Sequence, residues 1–67
     1  MEINELVGET AGKIWHLLNE EGAQTFKQLK KRIDVSGELA SFAVGWLARE
    51  GKLGITQEKK TVTIVLK

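Results

Sequence analysis

The hydrophobic pattern of this chain changes period at Gly51. Upstream of it, apolar residues recur every three or four positions; downstream they alternate. A helical pattern does not settle as a strand, nor a strand pattern as a helix. The chain must therefore fold as helices first and as a β-hairpin last. Ile3, Val7, Ala11, Ile14 and Leu18 form one stripe, widened by Leu6 and Leu17. This predicts a helix over residues 3–20, with Gly22 as its stop. Gly8 and Gly12 weaken its first turns. Thr25-Phe26-Lys27-Gln28 has the form of a capping box and opens a second helix over 26–33. Phe26, Leu29 and Ile33 line one face of it. Asp34-Val35 leaves room only for a turn. Ser36 caps a third helix, Glu38 suits the positive end of its dipole, and the helix runs to Glu50 before stopping at Gly51. Beyond it, Leu53, Ile55, Val62, Ile64 and Leu66 alternate with Thr56, Thr61, Thr63 and Val65. That predicts strands at 53–57 and 61–66 around a Glu58-Lys59-Lys60 tip. Ala23-Gln24 is placed to add a very short edge strand. The expected architecture is α+β, in one domain spanning residues 1–67.

A chain of 67 residues buries only about 60% of its unfolded surface, so its core is marginal. Small domains usually carry a staple. Here there is no cysteine, hence no disulfide and no thiolate metal site. Tight helix packing or self-association is left to supply the stability. His16 is the only histidine and has no partner for catalysis or for a metal. Trp15 and His16 lie at the edges of the first stripe, as core packing or as partly exposed rings. Tyrosine is absent, and no glycine-rich phosphate loop or spaced set of metal ligands occurs. These absences point away from an enzyme, and no cofactor or small-molecule substrate is expected. No segment approaches about 18 consecutive apolar residues, so no membrane span is expected. The opening MEINELVGET is acidic and unlike a signal peptide. The cytoplasm is the expected compartment.

The formal net charge is only +1, but it is unevenly spread. Residues 1–22 hold Glu2, Glu5, Glu9, Glu20 and Glu21 against Lys13, a balance of −4. Residues 23–67 hold nine Lys/Arg against Asp34, Glu38, Glu50 and Glu58, a balance of +5. A basic body with an acidic front end suits a polyanion partner on one side. A solvated surface with scattered charges has the same composition.

The order helix, short strand, helix, tight turn, helix, hairpin resembles the winged helix-turn-helix fold over essentially the whole chain. The residues that carry the resemblance are TFKQLKKRIDVSGELASFAVGWLAREGKLGI and the wing TQEKKTVTIVLK. Within VGWLAREGKL, Val44, Leu47, Gly51 and Leu53 match the end of many winged-helix recognition helices. More narrowly, the chain resembles a small bacterial family of stand-alone winged-helix proteins of uncharacterised function. The resemblance implies a double-stranded DNA partner and a transcription-regulator-like role, with the third helix in the major groove.

On a helical wheel, Leu39, Ala40, Ala43, Val44, Trp46 and Leu47 form the expected core face of that helix. Gly37, Ser41 and Gly45 lie opposite, flanked by Glu38, Ala48 and Arg49, with Phe42 at the border. Ser41, Arg49 and Glu38 are the only side chains there suited to bases, so base reading is expected to be weak. Phosphate contacts are better supplied. The resemblance places Lys27, Lys30, Lys31 and Arg32 on the second helix, Lys59 and Lys60 at the wing tip, and Lys52 with Arg49 at the end of the third helix. Such binding depends on salt more than on sequence.

Protein contact is the alternative. Gly37, Ser41 and Gly45 are spaced four apart and let another backbone approach closely. Phe42 and Trp46 are also four apart. Both are candidates for a protein interface, such as that of a homodimer; core packing is the favoured place of Trp46, while Phe42 fits either the core or an exposed anchor.

Overall fold

The computed structural model describes residues 3–67, without the Ile3 side chain. The expected place of Ile3 in the apolar stripe lies outside the described residues. The elements in order are α1 (Ile3–Glu21), β1 (Gln24–Thr25), α2 (Phe26–Ile33), α3 (Gly37–Arg49), β2 (Leu53–Glu58) and β3 (Thr61–Leu66). This is an α+β architecture of three helices and a small antiparallel sheet.

The ends of the helices are set by local chemistry. Gly22 takes a φ of 81° and its N–H donates to the Leu18 carbonyl at 2.8 Å, closing α1. Thr25 caps α2 through a complete capping box: its side chain accepts from the Gln28 N–H, and the Gln28 side chain accepts from the Thr25 N–H. Thr25 is thus the last residue of β1 and the cap of α2 at once. That double duty places the edge strand one residue later than the expected Ala23-Gln24. Ser36 caps α3 by accepting from the Leu39 N–H at 3.2 Å. At the other end Gly51 adopts a φ of 75°. Its N–H donates to the Ala48 carbonyl, and the Lys52 N–H donates to the Leu47 carbonyl, each at 3.0 Å. This left-handed stop turns the chain into β2. Replacing Ser36 with alanine is expected to cost about 1 kcal/mol, read from the urea midpoint. No change in midpoint would mean that the cap contributes nothing.

The sheet order is β1-β3-β2, with β3 antiparallel to both neighbours. Ile64 pairs with Gln24 on one side and Ile55 on the other. Glu58 pairs with Thr61, so the hairpin turns through Lys59 and Lys60 alone. The core gathers Ala11, Ile14 and Leu18 of α1, Leu29 of α2, Ala43, Val44 and Leu47 of α3, and Leu53 and Ile64 of the sheet. Thr10 is the one buried polar side chain among the described residues. Among those residues, no helix is long and apolar enough to cross a membrane.

One expectation fails. Trp46 is not in the core; it is 46% exposed. Ala40, Ala43, Val44 and Leu47 are the buried residues of α3. Trp46 stands about 110° round the helix from the centre of that stripe. The small Ala40 and Ala43 let neighbouring elements approach closely, so an indole on the flank is left outside. Leu39 is only half-buried for the same reason. Trp15 is also partly exposed, at 37%, with His16 set edge-on to it at a ring separation of 5.5 Å.

Candidate nucleic-acid interface

The capping box fixes how α2 is rotated. Phe26, Leu29 and Ile33 face inward, and Leu29 is fully buried. Lys27 and Lys31 must then face solvent, with Lys30 and Arg32 on opposite flanks. The two flanks have different fates. Arg32 pairs with Glu21 at the end of α1, the only ion pair among the described residues. Both side chains are well exposed, so the pair stabilises little, but it occupies Arg32. Lys30 turns the other way, towards the start of α3. A Cβ added at Gly37 would lie 3.6 Å from the Lys30 Nζ. Gly37 is therefore half-buried beside the lysine stem rather than open to a groove.

The hairpin tip completes a cleft. Thr25, Phe26, Lys27 and Lys30 form one wall, and Lys60, Thr61 and Val62 the other, enclosing about 390 Å³. Three lysines from two distant parts of the sequence line this one concave surface, Lys30 with its ammonium at the end nearest Gly37. None of the three has a carboxylate within ion-pair distance among the described residues. Lys59 takes the left-handed conformation at the turn, with φ 54°. It lines a separate hollow with Glu58, Thr56, Thr61 and Thr63, on the face of the hairpin away from the core. The tip thus splits its two lysines between the two faces of the sheet.

The remaining expected contacts do not converge on the cleft. Lys52 lines a groove of about 250 Å³ between α1 and α3, with Gly8, Gly12, Trp15, His16 and Trp46. Lys31 and Arg49 are exposed on their own helices. On α3, Glu38, Ser41, Phe42, Gly45 and Trp46 are exposed as well. Phe42 is 52% exposed, in the middle of the outward face rather than at its border.

A family model described as "Winged helix-turn-helix domain (DUF2582)" matches residues 1–66. The chain belongs to this family. This DUF2582 domain is similar to "Uncharacterized protein MJ1608" of Methanocaldococcus jannaschii, with 42% identity over 64 residues, covering 91% of this chain and 90% of that protein. It is also similar to the solution NMR structure of protein BT2368 from Bacteroides thetaiotaomicron, with 37% identity and a TM-score of 0.84. That match covers 97% of this chain and 79% of the other. The expected fold, three helices with a hairpin wing, is the fold of the family.

One feature of the DUF2582 domain is not visible in its sequence. Phe26, Val44, Ile55, Val62 and Ile64 line an apolar hollow of about 320 Å³ between α3 and the wing, together with Ser41 and Gly45. Ile55 remains 46% exposed in it. The alternation of β2 does mark Ile55 as inward-facing. The pattern does not say that Ile55 stays half exposed beside the small Ser41 and Gly45.

Proposed function

We propose that this winged helix-turn-helix domain is a DNA-binding module that grips the phosphate backbone of double-stranded DNA with little reading of bases. The observation that carries this reading is the convergence of Lys27, Lys30 and Lys60 on one cleft between α2 and the wing. A cleft lined by three lysines that have no ion-pair partner among the described residues suits phosphate oxygens, and the N–H of Arg32 is already given to Glu21. The family supports DNA as the polyanion, because a wing beside a helix-turn-helix is a common duplex-binding frame.

Helix α3 adds little recognition chemistry. Its outward face offers bases one Arg, one Glu and one Ser around an exposed Phe. Arg suits guanine, but Glu repels phosphate and Phe offers only apolar contact. Binding in this mode is governed by counterion release, with Kd values of about 10⁻⁴–10⁻⁶ M at physiological salt. The protein acts as a transcription-regulator-like or DNA-coating component, not as an enzyme, and its compartment is the cytoplasm.

The test is an amide-shift titration with duplex DNA of unrelated sequences at low and at high salt. Shifts are expected at Lys27, Lys30, Lys60 and Thr61, similar for each duplex and suppressed by salt. Absence of shifts at low salt would refute DNA binding. Shifts centred on α3 that differ between duplexes would refute the backbone mode.

A further inference from the structure

The outward face of α3 carries Glu38, Ser41, Phe42, Gly45, Trp46 and Arg49, all exposed. Their order is self-complementary about the midpoint between Ala43 and Val44. Moving outward from that point, Phe42 is matched by Gly45, Ser41 by Trp46, and Glu38 by Arg49. Two of these matches set a large side chain level with a small one, and the third sets acid level with base. We propose that two copies of this chain associate through α3, antiparallel, about a two-fold axis at that midpoint.

A closed two-fold contact requires a surface that complements itself. In an antiparallel helix pair, residues equally far from the axis lie at the same level. Glu38 of one copy then meets Arg49 of the other, and the contact occurs twice. Phe42 lies over Gly45 of the second copy, where there is space: a Cβ added at Gly45 meets nothing within 4 Å. Trp46 stands at the level of Ser41 but on the opposite edge of the face, so it packs beside Phe42 of the second copy. A parallel pair would instead set Glu38 on Glu38, Arg49 on Arg49 and Phe42 on Phe42. Charge and size therefore select the antiparallel arrangement.

The contact draws on more than α3. A 13-residue helix is about 20 Å long and cannot by itself bury the roughly 800 Å² per partner of a stable interface. The apolar surface continues on both sides of it. Trp15 shares a groove with Trp46, and Ile55 shares a hollow with Ser41 and Gly45. Trp15, Phe42, Trp46 and Ile55 are the exposed large hydrophobic residues among those described, and all four lie on this face or beside it. The contact does not rest on DNA binding, since Lys27, Lys30 and Lys60 lie on α2 and the wing tip.

The experiment is sedimentation equilibrium on the full chain without DNA, over a range of concentrations. Wild type is expected to dimerise. Gly45→Gln is expected to stay monomeric and folded, because a larger side chain has room in one copy and improves helix propensity, but strikes Phe42 of the second. Glu38→Arg and Arg49→Glu are each expected to weaken the dimer about tenfold, since each change spoils two symmetry-related pairs. The double variant Glu38→Arg/Arg49→Glu is expected to recover the wild-type affinity. In a mixed-label sample, intermolecular NOEs should connect the Phe42 ring to Gly45. A wild type that is monomeric throughout overturns the proposal. So does a dimer untouched by Gly45→Gln, or a double variant no tighter than the single ones.

Discussion

Replacing Leu29 with alanine is expected to remove a large share of the stability of this domain. Leu29 is fully buried and is the only buried residue of α2. Leucine-to-alanine changes in a core cost about 2–5 kcal/mol, through forfeited transfer energy and the cavity left behind. A chain of 67 residues has only about 3–10 kcal/mol to lose. Nor can α2 hold itself together. At eight residues it is shorter than the length at which isolated helices persist, so packing alone sustains it. Urea titration followed by circular dichroism reads the loss directly. A drop below about 1 kcal/mol would show that the site relaxes and that Leu29 is not the pin of α2. The effect should reach the cleft, because Leu29 holds the turn from which Lys27 and Lys30 project.

The triple variant K27Q/K30Q/K60Q should lower affinity for duplex DNA on the order of 10²-fold at about 0.1 M salt. The slope of log affinity against log salt should become shallower by about three, one for each phosphate no longer neutralised. Glutamine keeps most of each stem, so the fold should survive, which circular dichroism checks. Lys52→Gln serves as the internal control. It lies in the groove between α1 and α3, away from the cleft, and should change affinity little. If Lys52→Gln weakened binding as much as Lys60→Gln, DNA would be held elsewhere than in the cleft.

The frame of the molecule is legible in the sequence because its signals are local. Thr25 with Gln28, Ser36 and Gly51 each act within one turn of chain, and the fold places each where the pattern does. The wing is legible because alternation over Leu53, Ile55, Val62, Ile64 and Leu66 fixes both period and face. What the sequence does not yield depends on how faces meet. The exposure of Trp46 depends on which stripe of α3 meets its neighbours, and that stripe is centred about 110° away from it. The grouping of Lys60 with Lys27 and Lys30, and the separation of Lys52 and Lys59 from them, depend on how the wing folds over α2. Arg32 is equivalent to its neighbours in the sequence; only the fold brings Glu21, eleven residues earlier, within its reach.

The strand order β1-β3-β2 also governs how this protein emerges from a ribosome. Synthesis is vectorial, and both lateral strands are made before the central one. Gln24–Thr25 and Leu53–Glu58 find no hydrogen-bond partners in the sheet until Thr61–Leu66 has cleared the exit tunnel. Ile64, fully buried at the centre of the core, arrives at the same moment. The sheet therefore cannot close before its third strand is made. A stalled chain lacking the third strand should be more protease-sensitive than the folded domain, since Ile64 is missing from its core and both lateral strands lack partners.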